Sequence, residues 1–359
     1  MSQEKQDERF MRIALELAKR GLGNSFPNPA VGCLVVKNNE IKGRGWTAPG
    51  GRPHAETIAL EHAGKDAENA TVYVTLEPCC HHGKTPPCTD ALIKAGIKRV
   101  VIATGDPDQK VSGKGIIALK KAGIEISTGI CKKAADEINA GFFSKILKNR
   151  PLITLKIATT SDGKITMEPE KKSWFTGDKA KDFVHFLRMK NDAIMVGVGT
   201  ILADNPKLTC RLPGLEKYSP IRIIMDSNLR TPETAEIIKT SDTTPTWIFT
   251  NKKDKLGKAE IIEMQNKENG MINLKNALEK LAEKGITRLL VEGGTEIVKS
   301  FLSSGFVDKL IWISSDQAKG AKKAPDISIL IKNYASRMHK EEEFFLGNDK
   351  VLIFSAKTT

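Results

Sequence analysis

A chain of 359 residues exceeds the ~250 residues at which a single hydrophobic core stops growing, so its length favours two domains. No apolar run approaches the ~20 residues of a membrane-spanning helix, and the polar N-terminus MSQEKQDERF is unlike a signal peptide, so we expect a cytoplasmic protein with no membrane partner. The net charge of +13 fits anionic partners, which include phosphorylated metabolites, a dinucleotide and nucleic acid, without choosing among them.

The N-terminal half alternates apolar helical patterns with short runs of β-branched residues. Elements that alternate in this way indicate a largely parallel sheet covered by helices. We therefore predict an α/β domain in this half. The expected helices span 7–20, 54–63, 88–95 and 113–122, and the expected strands span 30–36, 71–77 and 99–104.

A further helical pattern begins at 133 and is ended by Pro151, and a second series of strands follows it. Because helical patterns again separate these strands, we predict a second α/β domain. The boundary is placed near residue 150, which gives domains over 1–149 and 150–359. The strand segments of the second series are LITLKIATTSDG, DAIMVGVGT, IRIIMDS, TWIFT, RLLVEGGTE and DKLIWIS.

The segment GGRPHAETIALEHAG, residues 50–64, is an unusual start for an apolar helix. Pro53 suits the first turn of a helix, where its missing N–H would be unpaired anyway. His54 and Glu56 would then lie at the mouth of the helix, which suits site chemistry better than core packing. The alternative is a buried structural histidine followed by a surface glutamate.

A second cluster of metal-binding residue types lies in LEPCCHHGKTPPC, residues 76–88, behind a predicted strand. His54, Cys79 and Cys88 could supply the three protein ligands of a catalytic zinc, which keeps its fourth position for water. Glu56 is the residue type that could shuttle protons to the ring nitrogen and the leaving amine. The pattern H-x-E…P-C is that of zinc-dependent nucleobase deaminases, although the second cysteine is displaced from C-x-x-C.

The other cysteines bear on whether this site is catalytic or structural. In a cytoplasmic chain the six cysteines favour thiols or metal ligands over disulfides. Cys33 is expected in the core, and Cys131 and Cys210 carry no motif and are interpreted as structural. A structural zinc would be closed by four protein ligands. Its fourth ligand could come from Cys80, His81 or His82.

Motifs in both halves resemble those of one family. The first half contains NPAVGCLVV, GGRPHAE, TLEPCCHHGKTPPC and VSGKG, and the second contains LKIATTSDGKI, SWFTG, DAIMVGVGTILADNPKLTCR, IRIIMDS and VEGGTEIVKSFL. They resemble the bifunctional riboflavin-biosynthesis enzymes, which join a diaminohydroxyphosphoribosylaminopyrimidine deaminase to a 5-amino-6-(5-phosphoribosylamino)uracil reductase. In that family H-A-E precedes P-C-x-H-x-G-[KR]-T-P-P-C, which accounts for the displaced cysteine.

For the first half, the resemblance implies a cytidine-deaminase-like three-layer α/β/α domain. It would use one zinc ion and Glu56 for the hydrolytic deamination of 2,5-diamino-6-ribosylamino-4(3H)-pyrimidinone 5′-phosphate. Asn28 offers a donor and an acceptor to a pyrimidine, and Lys84 could contact a ribose phosphate. The substrate contacts implied by the resemblance are Asn28, His81 and Lys84.

In the second half, RLLVEGGTEIVKSFL predicts a strand, the pair Gly293 and Gly294, and a helix whose N-terminus suits a phosphate. A plain turn is the alternative. The resemblance implies a dihydrofolate-reductase-like α/β domain that uses NADPH to reduce the ribosyl chain to ribityl. Its implied cofactor contacts are Ala158, Trp174, Thr200, Asp204, Ser227 and Gly294. Its implied substrate contacts are Lys172, Arg188, Leu208, Arg211 and Glu292.

The chemistry of several of these side chains also fits the roles that the resemblance implies. Arg188 and Arg211 suit a clamp on the sugar phosphate, and Glu292 could accept hydrogen bonds from sugar hydroxyls. Asp204 is a candidate for a polar role, with an Asx turn in ADNP as the alternative. No general acid for the reduction is identified, because the cofactor supplies the hydride and the protein aligns it.

Three positions depart from the family pattern, and other functions stay open. Asp108 and Gln109 stand where the family has Asn and Pro, and Lys172 where it often has Ser. One inactive domain is therefore an alternative, beside a polynucleotide deaminase and a non-enzymatic zinc-binding protein. We predict a bifunctional enzyme that forms a homo-oligomer, acts on a small phosphorylated pyrimidine and binds no nucleic acid.

Overall fold

The computed structural model describes residues 2–83, 85–165, 176–265, 270–316 and 326–357. The chain divides into two compact units, Met1–Arg150 and Pro151–Thr359. Each unit contains its own sheet, of five strands in the first and nine in the second. Within the described ranges, no helix combines the length and the apolar character that crossing a membrane requires.

The first unit is built on a five-stranded sheet with the order β2-β1-β3-β4-β5. The helices of this unit are α1 (Gln3–Ala18), α2 (Ala55–Ala63), α3 (Cys88–Lys94), α4 (Lys114–Lys121) and α5 (Lys132–Lys148). Its strands are β1 (Gly32–Lys37), β2 (Glu40–Trp46), β3 (Thr71–Val74), β4 (Arg99–Ile102) and β5 (Glu125–Thr128).

Two apolar clusters, one on each face, make this unit three-layered. One cluster joins the sheet to α1 and α5 through residues such as Phe10 and Ile138. The other joins the opposite face to α2, α3 and α4, through residues such as Ala59 and Leu92. Cys33 is fully buried in the second cluster, as expected. This arrangement confirms the predicted α/β/α layering.

The prediction of a largely parallel sheet is wrong for the first unit. β1 is antiparallel to both of its neighbours, β2 and β3, and only the β3, β4 and β5 pairs are parallel. The pairing of β1 with β2 is set by a two-residue hairpin turn in which Asn38 and Asn39 both have positive φ, the conformation that matches strand twist. No strand was predicted between 36 and 71, so β2 was missed.

The start of α2 also differs from the prediction. Pro53 lies outside the helix, and His54 is the residue that caps it, with an extended backbone (φ −72°, ψ 157°). The helix begins at Ala55, so Glu56 stays in its first turn. At the N-terminus of the chain, α1 begins at Gln3, four residues before the predicted start, with Ser2 as its N-cap.

The second unit is built on a nine-stranded sheet with the order β10-β9-β8-β7-β11-β6-β12-β14-β13. Its strands are β6 (Leu152–Thr159), β7 (Ala193–Gly197), β8 (Ile221–Met225), β9 (Thr246–Thr250), β10 (Glu260–Glu263), β11 (Arg288–Val291), β12 (Lys309–Ser315), β13 (His339–Leu346) and β14 (Asp349–Ser355). Its helices are α6 (Asp178–Met189), α7 (Val198–Asp204), α8 (Glu236–Lys239), α9 (Leu274–Glu283), α10 (Thr295–Ser304) and α11 (Ser328–Ala335).

Here the prediction of a largely parallel sheet is confirmed. All described strand pairs from β10 across to β12 are parallel, and β14 is antiparallel to both of its neighbours, β12 and β13. The carboxyl ends of β6, β11, β7 and β8 therefore meet along one edge of the sheet, which is where open α/β sheets bind their ligands. The prediction found six of the nine strands and missed β10, β13 and β14.

Candidate functional site

Three metal-binding side chains of the first unit meet at the start of α2 and the start of α3. The ligand atoms of His54, Cys79 and Cys88 all lie within 4.8 Å of one another. Nδ1 of His54 is 3.2 Å from Sγ of Cys88 and 3.6 Å from Sγ of Cys79. For bond lengths of about 2.05 Å to nitrogen and about 2.3 Å to sulfur, a tetrahedral zinc would separate these atoms by about 3.6 Å. The residues therefore fit zinc.

One residue of this cluster, Cys79, is already in the charge state that binds a metal. A hydrogen bond from the Cys88 thiol lowers the pKa of Cys79 to about 4. A hydrogen bond with Cys79 raises the pKa of His54, and a separate hydrogen bond with Cys79, together with burial, raises the pKa of Cys88. The Cys79 sulfur is thus ready as a thiolate, the form that binds metals.

The proposed fourth ligands of a closed site lie elsewhere. Sγ of Cys80 is directed to the carbonyl of Lys110, at 3.8 Å, and His81 and His82 are exposed. Within the described part of the chain, the metal cluster contains His54, Cys79 and Cys88 and no fourth His, Cys, Asp or Glu. Three protein ligands are typical of a catalytic zinc, whereas a structural zinc has four.

Glu56 is a buried acid next to this cluster. Its side chain is 4% exposed, in the first turn of α2. Burial raises its pKa, while the neighbouring His54 acts in the opposite direction. A carboxyl group with a raised pKa can both take up and release a proton, which is the property of a general acid and base. The alternative of a surface glutamate at position 56 is therefore wrong.

The predicted pyrimidine contacts are only partly within the described residues. The side-chain amide of Asn28 donates to the carbonyl of Gly51 at 2.9 Å and lies 3.5 Å from Nε2 of His54. Asn28 is therefore beside the cluster, whereas His81 is on the exposed segment between the two cysteines. Lys84 lies outside the described residues.

A loop of residues 105–112 follows β4 and contacts the metal-binding segment through Cys80. It carries Asp106, which is 8% exposed and accepts a hydrogen bond from the backbone N–H of Asp108 at 2.8 Å. Burial raises the pKa of Asp106 to about 6. Asp108 itself accepts from the N–H of Lys110 at 3.0 Å, so its carboxylate is part of the local turn.

In the second unit, the implied cofactor residues lie at or near the carboxyl ends of neighbouring strands. Ala158 is near the end of β6, Thr200 is on α7 behind β7, and Ser227 follows β8. Gly294 caps α10 without a side-chain hydrogen bond, so the helix begins with free N–H groups of the kind that bind phosphate. Trp174 lies outside the described residues.

At Gly293, the turn between β11 and α10 packs closely against α7. Its φ of +134° is one that residues with a side chain rarely adopt, and an added Cβ would lie 2.9 Å from Oγ1 of Thr200. The turn therefore requires glycine at 293, whereas a Cβ on Gly294 would meet nothing within 4 Å, so the backbone is open to a ligand there. Asp204 is the exposed last residue of α7, and the left-handed residue that follows the helix is Asn205.

The implied substrate residues form a buried ion cluster. Nε and Nη2 of Arg188 donate to the two carboxylate oxygens of Glu292, at 3.0 and 3.1 Å. Burial by itself would raise the pKa of Glu292, but Arg188 and Lys156 outweigh it and hold that pKa at about 2. Nη1 of Arg188 donates to the carbonyl of Thr209 at 3.1 Å.

The segment that carries Leu208 and Arg211 packs against this cluster. Leu208 is buried with a φ of +55°, a strained conformation for leucine. The exposed Arg211 has its pKa lowered by partial burial and by the nearby Arg188. Two arginines near a single carboxylate leave net positive charge for an anion. Lys172 lies outside the described residues.

The sequence analysis missed two members of this cluster. Nζ of Lys156 forms an ion pair with Glu292 at 3.2 Å, and both side chains are largely buried. His185 is 6% exposed, and its Nδ1 lies 3.0 Å from the carbonyl of Thr209 and 3.3 Å from the N–H of Arg211. A lysine inside a strand and a histidine one helical turn before Arg188 were the available signals.

Family models match both units. Residues 4–104 match the cytidine and deoxycytidylate deaminase zinc-binding region, and residues 151–326 match the RibD C-terminal domain. The chain is 42% identical to the riboflavin biosynthesis protein RibD of Aquifex aeolicus, over 97% of this chain and 98% of that protein. It is 43% identical to the RibD protein of Bacillus amyloliquefaciens, over 89% and 87% of the two chains.

Solved structures give the same result. Acinetobacter baumannii RibD superposes with a TM-score of 0.89 at 35% identity, over 99% of this chain and all of that chain. A diaminohydroxyphosphoribosylaminopyrimidine deaminase/5-amino-6-(5-phosphoribosylamino)uracil reductase of Thermotoga maritima superposes with a TM-score of 0.86 at 33% identity, over 99% and 100%. Both parts of the predicted fold class are thereby confirmed.

Proposed function

Because this chain belongs to the RibD family of riboflavin-biosynthesis proteins, we propose that its first unit houses the family's deaminase and its second unit the reductase. The chain is a bifunctional enzyme with zinc and NADPH as its cofactors. The observation that carries the assignment is the three-ligand cluster of His54, Cys79 and Cys88 with the buried Glu56 beside it. A closed structural zinc does not account for the open site, and a polynucleotide deaminase does not account for the second unit.

In the deaminase, Glu56 is the proton carrier. When bound, zinc supplies a Lewis acid that polarises water for attack at C2 of the diaminopyrimidinone. The raised pKa of Glu56 lets its carboxyl group take one proton from the attacking water and deliver it to the ring nitrogen, and then take a second proton from the added hydroxyl and deliver it to the leaving amine. Ammonia leaves and a carbonyl group remains. Asn28, beside His54, orients the pyrimidine edge, with His81 and Lys84 as further substrate contacts.

In the reductase, the protein binds and aligns the reactants. NADPH supplies the hydride that opens the ribosyl group to ribityl. Arg188 and Arg211 hold the sugar phosphate, and Glu292, kept ionised by its cationic neighbours, accepts hydrogen bonds from sugar hydroxyls. The free N–H groups at the start of α10 bind the cofactor's phosphates. The other contacts we assign are Ala158, Trp174, Thr200, Asp204 and Ser227 for the cofactor and Lys172 and Leu208 for the substrate.

The order of the two reactions provides the test. Wild-type protein incubated with the diaminopyrimidinone ribosylamino 5′-phosphate should release ammonia without NADPH. NADPH should be oxidised only when the deaminated compound is present. Release of no ammonia, or the same release after complete removal of zinc, would contradict the deaminase assignment.

The assembly and the compartment are further proposals. We propose a cytoplasmic homo-oligomer that takes small phosphorylated pyrimidines and binds no nucleic acid. The excess of 13 positive charges is then explained by phosphate-bearing substrates and cofactor. Light scattering coupled to gel filtration measures the mass of the particle, and a mass of one chain, about 39.4 kDa, would contradict the oligomer.

A further inference from the structure

Glu77 is a buried acid for which the deaminase chemistry has no use. It lies two residues before Cys79 and is 4% exposed. No lysine or arginine among the described residues forms an ion pair with it. A buried carboxylate without a counterion costs free energy unless hydrogen bonds compensate it.

The compensation comes from backbone N–H groups at the start of α4. Oε2 of Glu77 accepts from the N–H of Gly113 at 3.0 Å, and Oε1 accepts from Gly115 at 3.0 Å and from Ile116 at 3.2 Å. Hydrogen bonds to a charged acceptor are stronger than neutral ones, and the positive end of the helix adds to them. The carboxylate therefore ties α4 to the strand end that leads to Cys79.

The same residue holds the other end of the loop of residues 105–112. The backbone N–H of Glu77 donates to the carbonyl of Thr104 at 2.9 Å, where the loop begins. Its carboxylate binds Gly113, where the loop ends. One side chain and its own backbone thus fix both ends of a loop of eight residues.

The motif VSGKG, which the deaminase chemistry leaves unexplained, gains a physical role here. Gly113 has a φ of +74°, and an added Cβ on Gly115 would lie 2.2 Å from the carbonyl oxygen of Pro78. Glycine at 115 lets the start of α4 approach the segment before Cys79 closely enough for the Glu77 hydrogen bonds to form.

The loop held in this way lies against the metal-binding segment. It carries the buried Asp106 and, through the carbonyl of Lys110, contacts Cys80 next to the metal ligand Cys79. A loop of eight residues without regular structure has many conformations, so fixing both ends removes much of the entropy it would lose on binding substrate.

We propose that Glu77 is a positioning residue of the deaminase: it anchors both ends of the loop of residues 105–112 and so holds that loop, with the buried Asp106, against the segment that carries Cys79. This inference rests on the proposed deaminase function. Among the described residues, no hydrogen bond joins the Glu77 side chain to His54, Cys79 or Cys88, so we assign it an effect on substrate binding through the loop.

The test compares Glu77→Gln with Glu61→Gln, which makes the same change on an exposed residue of α2. A carboxamide keeps one acceptor oxygen and turns an NH₂ group toward the N–H groups that the other oxygen bound. We expect the KM for the pyrimidine to rise roughly tenfold or more, with a smaller change in kcat, because loss of a charged hydrogen bond costs about 1.5 kcal/mol or more. Zinc content and NADPH oxidation on the deaminated compound should stay at the wild-type level.

Hydrogen exchange gives a readout that does not depend on activity. The amides of Gly113, Gly115 and Ile116 should lose protection in Glu77→Gln, whereas those of α2 should keep it. If Glu77→Gln does not fold, Gly113→Ala strains the same loop end without touching the carboxylate and should raise KM by a smaller factor at full zinc content.

The proposal would be overturned if both the KM and the hydrogen exchange of Glu77→Gln matched the wild type. It would also be overturned if this variant lost zinc and its kcat and kcat/KM fell equally, because Glu77 would then be part of the metal-site framework. Absence of ammonia release from the wild type would instead refute the deaminase function. The exchange comparison would still show whether Glu77 anchors the loop.

Discussion

Glu292 is a carboxylate whose charge is maintained inside the protein by two cations. Its pKa is about 2 in the folded protein, against an ordinary value of 4.5. A lowered pKa contributes stability that is fully present above pH 4.5 and is lost as the pH falls toward 2. The shift corresponds to about 3 kcal/mol for this fully buried group.

The corresponding prediction concerns acid denaturation. Between pH 4.5 and 2, the free energy of unfolding of the second unit should fall more steeply in the wild type than in Glu292→Gln, which has no charge to lose at this position. Urea unfolding at several pH values measures the difference. Parallel pH dependences of the two proteins would show that the ion pairs of Glu292 contribute nothing.

Arg188 is a residue at which lysine cannot replace arginine. Its guanidinium binds both oxygens of Glu292 and the carbonyl of Thr209, a geometry that a single ammonium cannot reproduce. We expect Arg188→Lys to raise the KM of the reductase for its phosphorylated substrate roughly tenfold, since loss of one charged hydrogen bond costs about 1.5 kcal/mol. Steady-state NADPH oxidation measures this, with the exposed Arg337→Lys as control. Equal KM values in the two variants would contradict the clamp.

At the scale of the elements, the deaminase site depends on how closely α2 packs on β2. A Cβ on Gly45 would lie 2.1 Å from the carbonyl oxygen of Ala55, at the first turn of the helix that carries Glu56. Overpacking of this kind typically costs about 1–3 kcal/mol. We predict that Gly45→Ala destabilises the first unit by about 2 kcal/mol and weakens zinc binding.

The matched control is Gly199→Ala, since a Cβ at that position meets nothing within 4 Å. Thermal unfolding and zinc titration of both variants check the prediction. If Gly45→Ala binds zinc and unfolds like the wild type, α2 must have room to move away from the strand without losing the site.

The sequence predicted the elements that are continuous and strongly apolar. β4, β7 and β8 are buried on both faces and were found, whereas β13, with the exposed sequence HKEEEFFL, gives no apolar alternation and was missed. The antiparallel pairing of β1 with β2 depends on the turn at Asn38 and Asn39 and not on the composition of the two strands. Strand orientation was for this reason less predictable than strand existence.

The functional residues likewise differ in how far the sequence alone predicts them. His54, Glu56, Cys79 and Cys88 were recognisable because metal chemistry restricts residue type and spacing. Lys156 could not be recognised in this way, because its role comes from the pairing of β6 with β11, which brings it to Glu292 across more than a hundred residues. Contacts between distant segments leave no local pattern.

At the scale of the whole molecule, each unit has its own sheet and its own apolar clusters. The metal ligands all belong to the first unit. We therefore predict that removing zinc with a chelator abolishes ammonia release while NADPH oxidation on the deaminated compound persists. Re-addition of zinc should restore the first activity. Loss of both activities on chelation would show that the reductase also depends on the metal.

The most direct test of two separate active sites measures ammonia release and NADPH oxidation side by side in the wild type, Glu56→Ala and Arg211→Ala. We predict that Glu56→Ala keeps its zinc and its reductase activity but loses about 10²–10⁴-fold in ammonia release, the usual contribution of a general acid and base. Arg211→Ala should release ammonia normally and fail to oxidise NADPH. Wild-type ammonia release by Glu56→Ala, or loss of both activities in either variant, would contradict the account.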